Sequence, residues 1–211
     1  MKSSVHKAGA MSHPPKLGEQ ELRYLQDTDF LSAKLRIQDS LRLLLEQTQK
    51  QLFRSKDLLA LPAAVWETPP KISRGENYEG LPYLVLDYPR IFQQEATFAY
   101  RCMFWWGHGF SCTLHLSGRY WQEYQQTILQ HLGQLSDKAD DWWLCVNSSP
   151  WEYHYRPDNY RPLQELQQKQ QLHKLAENTF FKISRRLPIN HYQEFPRFSL
   201  ETLEKLSGLL N

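Results

Sequence analysis

Apolar residues recur at helical spacing over the first third of the chain. Over residues 29–59 they follow one another at intervals of three and four, which predicts a long amphipathic α-helix, and residues 17–26 predict a shorter helix before it. The apolar stripe of the long helix is wide, which favours packing against a sheet over the narrow seam of a coiled coil. Association of two copies through residues 29–59 is the second interpretation of this helix.

From residue 81 onward the pattern becomes that of strands. Residues 81–88, 96–106 and 110–117 are rich in aromatic and β-branched side chains and predict strands, the first of which should end at Pro89. Residues 66–80 contain two prolines and two glycines and are typical of a loop.

Strands and helices alternate through the rest of the chain. Further strands are predicted over residues 142–147, 151–155 and 179–187. Helices are predicted over residues 120–135, 162–176 and 200–209, the last of them capped by Ser199. Together these elements predict an α+β fold with a mainly antiparallel sheet of about four to six strands and a central β-hairpin, packed against N-terminal and C-terminal helices.

The length of 211 residues is consistent with one domain, since a chain of this size buries roughly 70% of its unfolded surface. We predict a flexible tail over residues 1–15 and a single α+β domain over residues 16–211. That domain should consist of a helical part at about 17–60, a sheet-containing part at about 80–190 and a C-terminal helix at about 199–210.

The charge balance and the cysteine content indicate which kinds of partner and which cellular location the protein should have. The 25 Lys+Arg residues against 23 Asp+Glu residues leave a net charge of +2, which argues against a nucleic-acid partner. No apolar run reaches the ~18 residues of a membrane span, so we expect no membrane association. Cys102, Cys112 and Cys145 form no CxxC pair, which predicts free, buried thiols in a reducing, cytoplasmic location.

The clearest motif is a β-hairpin around Gly107-His108-Gly109. If these three residues form the turn, Arg101 lies opposite His115 and Trp105 lies opposite Ser111. One face of the hairpin is then apolar, and we expect its side chains to be buried in the hydrophobic core. The other face is mixed, and it is either a solvated surface or the wall of a pocket in which Arg101 binds an anion and Trp105 stacks on a flat group.

The aromatic residues supply the remaining binding candidates. Six of the seven tryptophans fall between residues 105 and 151, and alternation along the strands leaves Trp105 and Trp151 as platforms for a ligand. Lys182 and Arg186 are predicted on the same sheet face as Arg101. The candidate ligand-binding residues are therefore Arg101, Trp105, His115, Trp151, Tyr153 and Arg186.

Sequence signatures of catalysis and of metal binding are missing. The chain has no GxSxG, no phosphate-binding loop and no HxH, HxxxH or HExxH pairing, so we expect no cofactor and no metal site. If the protein is an enzyme, the candidates for acid–base chemistry are His108, His115, His154 and Asp87. His108 between two glycines is also typical of an exposed turn.

Three functions follow from these observations. The first is a soluble, non-catalytic binding domain for a small anionic or aromatic ligand, or for a protein partner. The second is a hydrolase or transferase that uses histidine and carboxylate groups. The third is a structural or assembly protein that forms homo-oligomers through the helix of residues 29–59. We favour the first, because basic and aromatic residues share one predicted sheet face whereas no catalytic motif is present.

Overall fold

The computed structural model describes residues 16–59, 61–135 and 142–211. The described residues divide into two compact units, and the boundary lies between Asp39 and Ser40, inside the helix Thr28–Ser55. The tail predicted over residues 1–15 lies outside the described residues.

The described residues form five α-helices, and each of them overlaps one of the helices predicted from the sequence. None of them combines the length and the apolar character that crossing a bilayer requires. The helices are α1 (Glu19–Gln26), α2 (Thr28–Ser55), α3 (Arg119–His131), α4 (Leu163–Gln168) and α5 (Phe195–Ser207).

Seven strands form one sheet in the order β1-β2-β3-β4-β7-β5-β6, and every neighbouring pair is antiparallel. This confirms the predicted α+β class with an antiparallel sheet, which has one strand more than expected. The strands are β1 (Lys71–Tyr78), β2 (Leu81–Gln93), β3 (Ala96–Trp105), β4 (Gly109–Ser117), β5 (Trp142–Cys145), β6 (Tyr160–Pro162) and β7 (Phe180–Leu187).

The main core of the second unit lies between one face of the sheet and its helices. Leu45 and Leu52 of α2 and Leu203 of α5 are fully buried in one cluster with Phe98 and Tyr100 of β3. Burial of an aliphatic side chain of this size contributes about 1.5–3 kcal/mol to stability. This face matches the apolar hairpin face predicted from alternation.

Two strands of the sheet, β1 and β6, were not predicted, and β1 replaces the loop predicted over residues 66–80. It pairs with β2 from Lys71 to Tyr78 at one edge of the sheet. Because most of its side chains are exposed or only partly buried, it carries little of the apolar alternation by which a strand is recognised. The prediction of a loop was therefore wrong.

Two predicted element boundaries were also wrong. Strand β2 continues through Pro89 to Gln93, because a register shift between Asp87 and Arg90 accommodates the proline within the strand. Helix α5 begins at Phe195, so Ser199 is not its N-terminal cap. Ser199 is instead buried inside the helix, where its carbonyl oxygen accepts the Tyr100 hydroxyl at 2.6 Å.

The predicted pairing within the central hairpin was wrong by two residues. The turn consists of residues 106–108, so that Trp105 pairs with Gly109 and Arg101 pairs with Thr113, while His115 pairs with Ala99. A three-residue turn centred on Gly107 fits the glycine pattern as well as one centred on His108. Since side chains alternate with a period of two, each residue keeps its predicted face.

The strand predicted over residues 151–155 is an irregular segment. Residues 146–159, which connect β5 to β6, are called the covering segment below. Side chains rather than a neighbouring strand bind its backbone: Tyr78 Oη accepts the N–H groups of Tyr153 and His154, and Asn159 Nδ2 donates to the carbonyl groups of Glu152 and His154. These contacts satisfy backbone groups that a strand would have paired in a ladder.

Candidate functional site

The face of the sheet opposite the main core is polar and lies beneath the covering segment. Pairing of the strands places Arg101, Thr113 and Ser184 side by side, and His115 beside Lys182. Tyr153 and Tyr155 of the covering segment bond to side chains of this face. Together with Trp105, which shares the face of Arg101, and Trp151, which meets the His115 ring, all six predicted site residues lie on or against one surface.

Arg101 has its charge neutralised within the protein. Its Nε and Nη2 donate to the two carboxylate oxygens of Asp87 at 2.7 and 2.9 Å, and its Nη1 donates to Tyr153 Oη at 2.8 Å. Burial alone would lower the pKa of Arg101, but the hydrogen bond to Asp87 and the neighbouring charges raise it overall. The fork geometry that could hold a ligand carboxylate is thus occupied by Asp87.

Lys182 fastens the covering segment to the sheet. Its side chain is almost fully buried, and its ammonium donates to the carbonyl oxygen of Pro150 at 2.8 Å and to that of Glu152. The same ammonium lies 4.1 Å from the centroid of the Tyr153 ring. Burial lowers the pKa of Lys182 to about 8, because the charged form loses more hydration than these contacts return.

His115 lies under the covering segment and is 3% exposed. Its ring meets Trp151 and Phe180 edge to face, with centroids 5.6 and 5.9 Å apart, and neither ring nitrogen has a hydrogen-bond partner in the described part of the chain. Burial, together with the charges of Lys182 and Arg101, lowers the pKa of His115 to about 3. The imidazole is therefore neutral at pH 7.

Trp105 is a buried side chain rather than an open platform. It is 5% exposed, and the ring of His108 stacks on it with centroids 3.5 Å apart and planes 13° apart. Trp151, by contrast, is 54% exposed. His108 itself is exposed at the hairpin turn, and burial and the charge of Arg186 lower its pKa.

Arg186, unlike Arg101 and Lys182, has no hydrogen-bond acceptor among the described residues. Its guanidinium lies 4.5 Å from the centroid of the Tyr155 ring, the side chain is half-buried, and no residue of the described ranges accepts a hydrogen bond from it or pairs with its charge. It borders an open hollow of about 440 Å³, called the Arg186 hollow here. This hollow is lined by Gly107, His108, Arg186, Leu187, Pro188 and Ile189.

The Arg186 hollow forms where the hairpin turn meets the end of β7. Gly109 makes the close approach possible: its φ is +91°, and a Cβ atom at this position would lie 2.9 Å from the carbonyl oxygen of Leu187. Behind Arg186 a closed space of about 10 Å³ reaches Trp105 and Tyr155, which leaves room for roughly one water molecule. Ligand-sized space is thus present only on the open side of Arg186.

A second hollow of about 530 Å³ lies beside β5 and α4. Neither of its two cationic side chains resembles Arg186, which is half-buried and lacks an anionic partner in the described ranges. Arg161 forms an ion pair with Glu165 at 3.4 Å, and Lys174 is exposed to solvent. It brings together none of the residues that the sequence singled out.

The predicted catalytic candidates do not form an acid–base pair. Asp87 is bound by Arg101, His115 is covered, and His154 is buried with its Nε2 3.9 Å from Glu152 Oε2. Only His108 borders open space. Acid–base catalysis in a hydrolase or transferase stays a prediction.

Sequence reasoning missed Tyr78, Tyr155 and the segment 187–189. Tyr78 was assigned to a loop because β1 has a weak pattern. The signal for Tyr155 was its place in the predicted strand of residues 151–155, which also contains Trp151 and Tyr153. Nothing in the spacing indicated that residues 187–189 would meet the hairpin turn.

Comparison of the chain with models of protein families, with curated proteins and with solved structures gives no match.

Proposed function

We propose that the protein is a binding domain for a small anionic ligand that carries an aromatic or apolar part, and that the ligand binds in the Arg186 hollow. The observation that carries this proposal is Arg186, a half-buried residue whose guanidinium lies on the Tyr155 ring and has no anionic partner in the described ranges. A partly buried cation without a counter-ion is stabilised when an anion binds it.

The lining of the Arg186 hollow supports a ligand of mixed character. Arginine offers two parallel N–H donors that match a carboxylate or phosphate group. Leu187, Pro188 and Ile189 supply an apolar wall beside it, and the His108 ring supplies a flat one. A volume of about 440 Å³ is within the range of small-molecule sites, which runs from roughly 300 to 1,000 Å³.

The test is isothermal titration calorimetry with three probes: benzoate, its uncharged analogue benzyl alcohol, and inorganic phosphate. We expect benzoate to bind more tightly than either of the others, because only benzoate combines charge with a ring. Arg186→Gln should weaken benzoate binding by about tenfold or more, the equivalent of a lost charge-assisted hydrogen bond.

The matched control for this test is Arg119→Gln. Arg119 also lies on a tyrosine ring, that of Tyr120, at 4.7 Å, but it does not line the Arg186 hollow. This variant should bind benzoate like the wild type. Equal binding of benzoate and benzyl alcohol, or equal losses in both variants, would contradict the proposal.

A second candidate function, assembly of two copies through the N-terminal helices, is favoured by a separate observation. Eight large apolar side chains between residues 17 and 37 are exposed, which is a dense apolar surface for so short a segment. They are Leu17, Leu22, Tyr24, Leu25, Phe30, Leu31, Leu35 and Ile37.

Sedimentation equilibrium tests this second candidate. We expect a dimer whose dissociation constant rises when Leu31 and Leu35 are both replaced by Gln. A monomer at all protein concentrations would exclude self-association.

A further inference from the structure

The turn between β1 and β2 brings a carboxylate to the covering segment. Glu79 in this turn and Glu152 and His154 in the covering segment each place one ligand atom within 4.8 Å of the other two. We propose that these three residues bind a divalent first-row transition cation, zinc above all, which links the β1–β2 turn to the covering segment.

The evidence for a bound cation does not rest on the two carboxylates alone, because His154 provides a second observation. Its side chain is 6% exposed, and its Nδ1 is a buried atom without a hydrogen-bond partner among the residues that the structure describes. Its Nε2 faces Glu152 Oε2 at 3.9 Å, which is too long for a hydrogen bond. A cation between Nε2 and the two carboxylates would bind the nitrogen that faces them, which has no hydrogen bond of its own.

The backbone that carries two of these ligands is held in place by the side chains of Tyr78 and Asn159. Tyr78 Oη accepts the N–H groups of Tyr153 and His154 at 2.7 and 3.2 Å, and its hydroxyl donates to Glu152 Oε2 at 3.0 Å. Asn159, which is fully buried, donates to the carbonyl groups of Glu152 and His154. Such outer contacts orient metal ligands and raise affinity.

The donor set indicates the class of metal. One imidazole with two carboxylates suits zinc and its first-row neighbours, whereas calcium and magnesium prefer oxygen donors alone. Zinc bonds of about 2.0–2.2 Å require the ligand atoms to approach one another more closely than they do now. Glu79 and Glu152 have side chains 31% and 42% exposed, so they can move toward His154 without disturbing the core.

Arg156 competes with the cation for Glu79. Its Nη1 donates to Glu79 Oε2 at 2.8 Å, and its Nη2 donates to Oε1. The Arg156 side chain is 57% exposed, and an ion pair this exposed contributes little to stability. Zinc must displace Arg156, so removing the arginine should tighten zinc binding.

The experiment is zinc titration of the untagged protein against a chromogenic chelator, with cobalt absorption spectra as a second readout. Glu79→Gln and Glu152→Gln should each lower zinc affinity by at least about tenfold. Arg156→Gln should raise it by about two- to fivefold, the factor that a weak exposed ion pair represents. The cobalt spectrum of the wild type should show d–d bands of a site with protein ligands, and these should be lost in Glu79→Gln.

The matched control is Glu194→Gln, because Glu194 accepts from His191 at 2.9 Å in an exposed pair of the kind that binds zinc weakly at any protein surface. This variant should bind zinc like the wild type. The proposal is overturned if Glu79→Gln binds zinc as tightly as the wild type, or if Arg156→Gln binds it more weakly. Both substitutions are at exposed ion-pair positions, so the test does not depend on a core residue.

Discussion

Asp87 on β2 and Arg101 on β3 pair through two hydrogen bonds, at 2.7 and 2.9 Å, directly beside the register shift in β2. The pair neutralises a cation that the covering segment then buries under Tyr153. Because the guanidinium already holds a carboxylate, Arg101 stabilises the fold, and the proposed function assigns recognition of an external anion to Arg186.

Replacing Asp87 by Asn should destabilise the protein by about 3 kcal/mol, because it leaves a largely buried guanidinium without its counter-ion. The free energy of unfolding in urea measures this. The control is Glu46→Gln, which breaks an exposed pair with Arg42 and should cost less than about 1 kcal/mol. Equal stability of Asp87→Asn and the wild type would show that Arg101 does not need its partner.

His115 should make the protein sensitive to acid. Its pKa is lowered to about 3, so between that value and about 6.5 the unfolded chain binds a proton that the native state does not, and stability falls as the pH falls. Between pH 6.5 and 5 this amounts to about 2 kcal/mol.

The variant that isolates this effect is His115→Phe, which keeps a flat ring and removes the titrating group. Its stability should depend less on pH than that of the wild type over pH 5–6.5 (the roughly 1.5 pH units below the ordinary histidine pKa). Parallel stability curves for the two proteins would show that His115 does not titrate differently on unfolding.

Lys182 should make the stability of the protein depend on pH in the alkaline range. Because its pKa is lowered to about 8, the unfolded chain holds a proton above that pH that the native state has released, so this residue makes stability rise with pH from about 8 toward 10.5. Lys182→Met should lack this rise. Denaturation at pH 7.5 and at 9.5, below the range in which tyrosines ionise at about pH 10, checks the difference. A constant difference between variant and wild type would be the contrary result.

Gly109→Ala should destabilise the protein by about 1–3 kcal/mol, because the φ of +91° is strained for any other residue and the new methyl group would meet the carbonyl oxygen of Leu187. Gly208→Ala is the control. Gly208 has a φ of −63° and open space around its Cα, so alanine there should be neutral or slightly stabilising. Thermal unfolding of both variants tests this, and equal melting temperatures would contradict the close approach of Gly109 to Leu187.

The sequence predicted those elements whose apolar pattern is strong. The helix that became α2 and the strands β3, β4 and β7 were found because their buried side chains recur at fixed intervals. Strand β1 was missed because its edge position leaves most of its side chains partly exposed. The hairpin register was missed because its glycines allow two turns of equal length.

The polar face was predicted in its composition but not in its contacts. Alternation placed Arg101, Lys182 and Arg186 on one side of the sheet. Which of the three cations has an anionic partner depends on Asp87, which lies across a strand pair, and on the carbonyl groups of the covering segment, whose path no local pattern specifies. Long-range contacts of this kind are decided by the tertiary fold.

The central claim, that Arg186 binds an anion in the hollow it borders, is tested most directly by NMR of the arginine Nε–H groups during a benzoate titration. We expect the Arg186 resonance to move in proportion to occupancy, the resonance of Arg101 to stay constant because Asp87 holds it, and binding to be lost in Arg186→Gln. An unchanged Arg186 resonance at saturating benzoate, or a shift of Arg101 instead, would contradict this account.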